Sequence, residues 1–386
     1  MNQLPGRHTA TAPSGRPLAG LGLLCLALLA GCAGDAPLRE TSPADVRAQI
    51  ESLLPATTPD RAGWAVDIYA ALAALEIVPS LENICAVLAV TEQESTYRAD
   101  PTVPKLGQIA WGEIERRAER MGVPSMAVHL ALKLPSSNGK SYAERIDAVK
   151  TEQELSRIFE DLIDRVPLGK SLFASWNPVR TGGPMQVSIA FSERHAKERA
   201  YPYPVADSIR HEVFSRRGGL YFGTAHLLDY PAAYNKYIYR FADFNAGHYA
   251  SRNAAFQSAV SLVSGIPLDL DGDLVNHGDD EGKPGSTELA VRSIAKRLDL
   301  GHGAIRKALE QGDSAAFERS ALYQRVFELA DRLDRQPVPR ALLPRIVLKS
   351  PKIKRKLTTE WFASRVDERH RKCMARGAAL QAPERT

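Results

Sequence analysis

The chain reads as a mainly α-helical protein, and three features of its sequence point there. Hydroxyl-bearing residues followed by proline, as in Ser42-Pro43 and Thr58-Pro59, recur as helix starts. The run Ile84 to Val90 is apolar without a break, as in a helix surrounded by core. No stretch alternates apolar and polar residues over a convincing strand length.

Taken in order, Ser42-Pro43 and Thr58-Pro59 open the first two helices, and Ser80 caps a third over Leu81 to Glu94. Residues 101 to 180 carry further helical pattern, at Gly112 to Met121 and Gln153 to Asp164, broken by turns, and read as an embellishment. A Gly182-Gly183-Pro184 turn and a Pro-rich stretch at Tyr201 to Pro204 follow. Helical segments return around Tyr221 to Leu228 and Tyr237 to Gly247. Ile266 to Ser286 is an acidic, Gly-rich loop, and the chain from Glu288 onward is again helical.

With 386 residues, 44% hydrophobic and 25% charged, the composition is globular and leaves room for two or three domains. The net charge of +5 is uneven: residues 345 to 372 hold ten Lys/Arg against three Asp/Glu, on an otherwise mildly acidic body. A nucleic-acid protein spreads its basic charge more widely, so no nucleic-acid partner is expected. The basic tail itself is expected to be a solvated helix face, the alternative being a surface for anionic lipid headgroups or the acidic peptides of peptidoglycan. Four cysteines without C-x-x-C spacing build neither a disulfide scaffold nor a zinc site.

The N-terminus carries an address. Leu18 to Leu29 is too short to span a bilayer but has the length of a signal-peptide h-region behind a basic start. It ends in Leu29-Ala30-Gly31-Cys32, which resembles the lipobox of bacterial lipoproteins. The resemblance implies a signal peptide over 1–31 and acyl chains, palmitate among them, on Cys32 as a membrane anchor, with a tether over 32–41. Ala33, standing where aspartate retains lipoproteins at the inner membrane, implies the periplasmic face of the outer membrane. Cys85 and Cys373 are then the thiols left in an oxidising compartment, either to pair or, for Cys85, to pack as a small apolar side chain.

Chemistry concentrates where the apolar helix ends, at Thr91-Glu92-Gln93-Glu94-Ser95-Thr96-Tyr97. Burial and the negative end of the helix dipole both disfavour an ionised carboxylate there, as a general acid needs. Periodicity does not choose between Glu92 and Glu94.

Glu94-Ser95 with Tyr97 resembles the Glu-Ser-x-aromatic motif of lytic transglycosylases, which cut the peptidoglycan glycan strand on a lysozyme-like fold. Gly183-Pro184-Met185-Gln186 resembles their Gly-Leu-Met-Gln turn, and Phe244-Asn245-Ala246-Gly247 their Tyr-Asn-Ala-Gly motif. Over most of its length the chain also resembles a proteobacterial lipoprotein family carrying a domain of unknown function. The resemblance implies a lysozyme-like region over 42–264, with a helical insertion at about 101–180, and a C-terminal extension over 265–386 of acidic loop, helices and basic tail.

It further implies that Glu94 is the acid and base, without metal or cofactor. Ser95, Gln186 and Asn245 would hold acetamido sugars, with Met185, Tyr97 and Phe244 offering apolar surface. The activity would be cleavage of the MurNAc-GlcNAc bond in cell-wall peptidoglycan to 1,6-anhydro products.

Two departures stand out. About ninety residues separate Glu94 from Gln186, where the family has some two dozen, and the family tyrosine is Phe244, leaving Tyr249 as the nearest substitute hydroxyl. A lipoprotein that binds peptidoglycan strands or an envelope partner without cutting is therefore the rival expectation. In another, the C-terminal region is the working part of an envelope complex. A hydrolase would need a second carboxylate, for which Asp243 is nearest by context. Asp269, Asp271 and Asp273 resemble a calcium loop, but loop positions six and twelve hold Leu274 and Asp280, so a solvated acidic loop is expected. His211, His226, His248 and His277 have no metal spacing.

Overall fold

The computed structural model describes residues 42–165, 177–276, 282–348 and 356–381. The expected signal peptide, Cys32 and tether lie outside these residues, as does His277.

The first three helices are α1 (Pro43–Leu53), α2 (Arg61–Ala74) and α3 (Leu81–Ser95). The proline start of α1 and the Ser80 cap of α3, which accepts from the Asn83 amide, fall where the sequence places them. The second start does not: Asp60, not Thr58, accepts from the Gly63 amide and caps α2. Every side chain from Ile84 to Thr91 is buried, so α3 runs through the core. Thr96 and Tyr97, both in the left-handed region (φ 51° and 56°), stop it abruptly.

The insertion carries α4 (Leu106–Arg120), α5 (Ser125–Ala131), α6 (Tyr142–Ala148) and α7 (Glu152–Asp164). Capping boxes at Ser141 and Thr151 set the starts of α6 and α7. A two-residue hairpin follows, β1 (Thr181–Gly182) paired antiparallel with β2 (Val187–Ser188), where the sequence predicts only a turn. Then come α8 (Ile189–Glu198), α9 (Ile209–Phe214), α10 (Arg216–Leu228) and α11 (Tyr237–Ala246).

The two faces of α10 divide the molecule. Leu220 and Leu227 join a core built with α1, α2, α3 and α11, while Tyr221, Phe222 and Ala225 pack against Leu106, Ile146, Leu155 and Ile158 of the insertion. The insertion thus docks behind α10.

The remaining helices are α12 (Ala250–Ser264), α13 (Ser286–Ser293), α14 (Ala295–Leu298), α15 (His302–Leu309), α16 (Ala321–Asp334) and α17 (Thr359–Gln381). α12 to α16 form a third core around Phe256, Phe317 and Phe327. α17, which the sequence groups with the C-terminal extension, instead returns to α3 and α11 and buries Phe362, Ala363 and Val366 in the first core. A Cys85–Cys373 disulfide, closing a separation of 288 residues, ties it there and resolves the two thiols in favour of pairing. The architecture is therefore mainly helical; among the described residues no helix is long and apolar enough to cross a membrane.

Candidate active site

At the C-terminal turn of α3 the two carboxylates part company. The Glu92 carboxylate lies 3.5 Å from Arg369 of α17, beside a small cavity of about 140 Å³. Glu94 is half-buried and lines a separate cleft of about 650 Å³ on another side.

That cleft joins the three motif blocks. Glu94 comes from α3, Gln186 from the hairpin turn, and Phe244 and Asn245 from the end of α11. None of its described lining residues belongs to 101–180. Strained backbone gathers at the same blocks: of nine described non-glycine residues with positive φ, four are Thr96, Tyr97, Gln186 and Tyr249. Such strain persists only where surrounding structure over-determines it, and it clusters at functional sites.

The hairpin turn is held from behind. A Cβ at Gly219 of α10 would lie 2.3 Å from Pro184 Cδ, and one at Gly223 would lie 2.5 Å from Met185 Sδ. Two glycines one turn apart therefore make the flat seat on which Pro184 and Met185 lie. The Gln186 carboxamide braces the turn itself, accepting from Thr181 Oγ1 and donating to the Gly183 carbonyl, each at 3.3 Å.

The α11 block is fixed by a buried carboxylate. Asp243 accepts from the hydroxyls of Tyr230 (3.1 Å) and Tyr234 (2.7 Å) and from the amides of Tyr249 (3.0 Å) and Ser251 (2.7 Å). Burial raises its pKa, against the pull of those donors. These bonds clamp the turn from α11 into α12. The Asn245 carboxamide oxygen accepts from Thr359 Oγ1 at 3.1 Å, which fixes the orientation of the amide and the direction of its N–H groups.

Several expected contacts fall elsewhere. Asp243, the nearest candidate by context for the second carboxylate a hydrolase would need, is enclosed and structural. Ser95 is buried, its hydroxyl donating to the Thr91 carbonyl and accepting from the Arg98 amide, so it finishes α3. Tyr97 packs edge-on against Trp64, donates to the Leu88 carbonyl and faces the Glu92 side. Met185 is completely buried under the hairpin turn. Tyr249 donates to the Pro231 carbonyl with its ring against Arg252, so its hydroxyl does not replace the one absent from Phe244. None of these five lines the cleft. The acidic loop is also internally engaged, Asp271 accepting from Gln257 at 2.6 Å.

Other lining residues carry no sequence signal of their own. Phe191 and Arg194 come from α8, His226 from α10, His248 from the clamp, Asp313 from the C-terminal region and Phe362 from α17. His226 and His248 stack at 4.5 Å. Burial lowers both pKa values, that of His226 to about 3, so both rings are neutral at ordinary pH. Asp313 is exposed and gives the cleft a carboxylate besides Glu94. Chemically, the cleft offers one half-buried carboxylate at a helix end, amide donors and aromatic faces. Among the described residues no group of acids, histidines or cysteines could hold a metal.

Comparison with known proteins gives a family and a relative. The family model described as "Protein of unknown function (DUF1615)" matches residues 57–376. The chain is 56% identical over 361 residues to "Uncharacterized protein YaiW" of Escherichia coli (strain K12), covering 93% of this chain and 98% of that protein. No solved structure matches significantly.

Proposed function

This chain belongs to the DUF1615 family, and we propose that it is a peptidoglycan lytic transglycosylase on a lysozyme-like helical scaffold, with Glu94 as its acid and base. The observation that carries this reading is the cleft itself. It gathers Glu94, Gln186 and Phe244-Asn245 from three distant places, and Glu94, not Glu92, is the carboxylate that reaches it.

Glu94 protonates the glycosidic oxygen while the substrate's acetamido group stabilises the anomeric carbon. The resulting carboxylate takes the proton of the muramyl C6 hydroxyl, whose oxygen closes the 1,6-anhydro ring. One carboxylate suffices, which suits a cleft where Asp243 is unavailable. Asn245 offers N–H donors to sugar or acetamido oxygens, and Phe244 and Phe191 offer flat surface. Ser95, Tyr97, Met185 and Tyr249 support the cleft without touching substrate.

The setting is the periplasmic face of the outer membrane, with lipidated Cys32 as anchor and peptidoglycan as partner. The buried Cys85–Cys373 bridge supports an oxidising compartment.

Digestion of purified sacculi by the chain from Ala33 onward tests the reading, with products identified by mass. Anhydro-muropeptides are expected from wild type and Glu92→Gln and none from Glu94→Gln. Reducing-end products would make it a hydrolase and turn attention to Asp313. The absence of a hydroxyl at Phe244, with none supplied by Tyr249, favours a second reading as a glycan-binding lipoprotein, which sacculus pull-down without cleavage would support.

A further inference from the structure

We propose that the small cavity between the end of α3 and α17 is a binding site for a phosphate dianion, held by Arg365, Arg369, Lys372 and Arg376. It lies on the Glu92 side of α3 and does not depend on the reading of Glu94.

These cations follow one another at spacings of four, three and four residues, so they form one stripe along α17. All four line the cavity of about 140 Å³. Its inner wall is made by Leu53 of α1, Leu88 and Ala89 of α3, and Tyr97, so the stripe faces protein. Two of the heads are turned to that wall. Arg376 donates to the Leu53 carbonyl, and while burial and Glu92 raise the pKa of the Tyr97 hydroxyl, Arg376 and Arg369 pull it back. The site is also reachable from solvent, since the side chains of Lys372, Arg365 and Arg369 are 70%, 46% and 23% exposed.

The charges within it do not balance. Among the described lining residues the carboxylates are Glu92 and Glu368, against four cations. Glu368 is shared by Arg365 at 2.6 Å and Lys372 at 2.7 Å, and Glu92 lies 3.5 Å from Arg369. Arg376 has no carboxylate partner among the described residues. Two positive charges are thus left over where like charges on one helix face already repel. A phosphate dianion supplies both missing charges, and its oxygens suit the fork of a guanidinium. A neutral sugar supplies neither charge, and a carboxylate or phosphodiester only one. The cavity has room for several waters or one tetrahedral anion.

Calorimetric titration of the chain, its disulfide intact, with inorganic phosphate at constant ionic strength tests the site. The pH is set well above the second ionisation of a phosphate monoester, near 6. One equivalent is expected to bind. Lys372→Gln, at an exposed position, and Arg369→Gln should each weaken binding about fivefold, the worth of one partly exposed ion contact. Glu368→Gln should tighten it by about the same factor, because it removes a competing anion and releases Arg365 and Lys372. Salt bridges that only hold α17 in place would not give these opposite signs. Arg371→Gln, which lines a different hollow of α17, should leave binding unchanged. Dimethyl phosphate, a monoanion, should bind more weakly than phosphate. Glucose 1-phosphate separates the sources: binding as tight as phosphate assigns the site to a phosphate monoester, and its exclusion to the free ion. No phosphate binding by the folded chain would overturn the inference. So would binding untouched by Arg369→Gln and Lys372→Gln, weakened by Glu368→Gln, or matched by dimethyl phosphate.

Discussion

Adding one methyl group at Gly223 should loosen the cleft from behind. In the unperturbed structure an alanine Cβ at this position lies 2.5 Å from Met185 Sδ, 2.6 Å from Met185 Cβ and 2.9 Å from Met185 Cγ. The Sδ contact alone would yield to a rotamer change, but Met185 is completely buried and its own Cβ cannot move without its backbone. The turn must therefore shift, and Gln186 with it. Overpacking of this kind costs about 1–3 kcal/mol, and alanine regains about 1 kcal/mol of helix propensity. The net destabilisation should be up to about 2 kcal/mol, read as a lower urea midpoint at unchanged slope. Faster hydrogen exchange at the Gln186 amide, which donates to the Gly183 carbonyl at 3.1 Å, would locate the change in the turn. If the cleft is a transglycosylase site as proposed, anhydro-muropeptide release should fall about tenfold or more, because small misplacements are costly in a preorganised site. Gly112→Ala in α4 is the control: nothing lies within 4 Å of its Cβ, so it should gain about 1 kcal/mol. A Gly223→Ala protein as stable as wild type, with unchanged exchange at Gln186, would refute the seat argument.

Reduction of Cys85–Cys373 should destabilise the chain by about 2–5 kcal/mol, because the bridge closes a loop spanning a separation of 288 residues; equal urea midpoints with and without reductant would contradict this. Acid should weaken the fold through His226. Its folded pKa of about 3 lies below the ordinary 6.5, so the stability it supports is complete above about pH 6.5 and is lost as pH falls towards 3. Between pH 6.5 and 5 that loss amounts to up to about 2 kcal/mol, and His226→Phe should abolish it. Identical pH dependence in the variant and wild type would show that this ring does not carry the effect.

The structure also bears on which segments can be removed. α17 supplies Phe362 to the cleft wall and covers α3 through Ala363 and Val366. A chain ending before it would expose the core around α3, so such a deletion does not separate a C-terminal function from a role of the cleft.

By itself the sequence determined what depends on neighbours along the chain. Unbroken apolar character placed α3 in a core, Ser80 capped it, and the absence of alternation excluded a substantial sheet; a two-residue hairpin is too short to leave such a pattern. The order of the motif blocks marked Glu94, Gln186 and Asn245, which share the cleft. Only the tertiary structure decided which neighbours of those residues face it. Whether a side chain at the end of a helix turns inward or outward depends on what packs there, and α17 arrives from 288 residues away in sequence, at Cys373, to claim the Glu92 side. For the same reason Tyr97 and Met185 match a motif and yet serve as packing, because Trp64 and Gly223 lie against them. Asp243 is a clamp because four donors converge on it from the α10–α11 connection and the start of α12, a convergence no local pattern encodes. His226 and Asp313 reach the cleft by the same long-range packing, which brings residues without a common spacing to one surface.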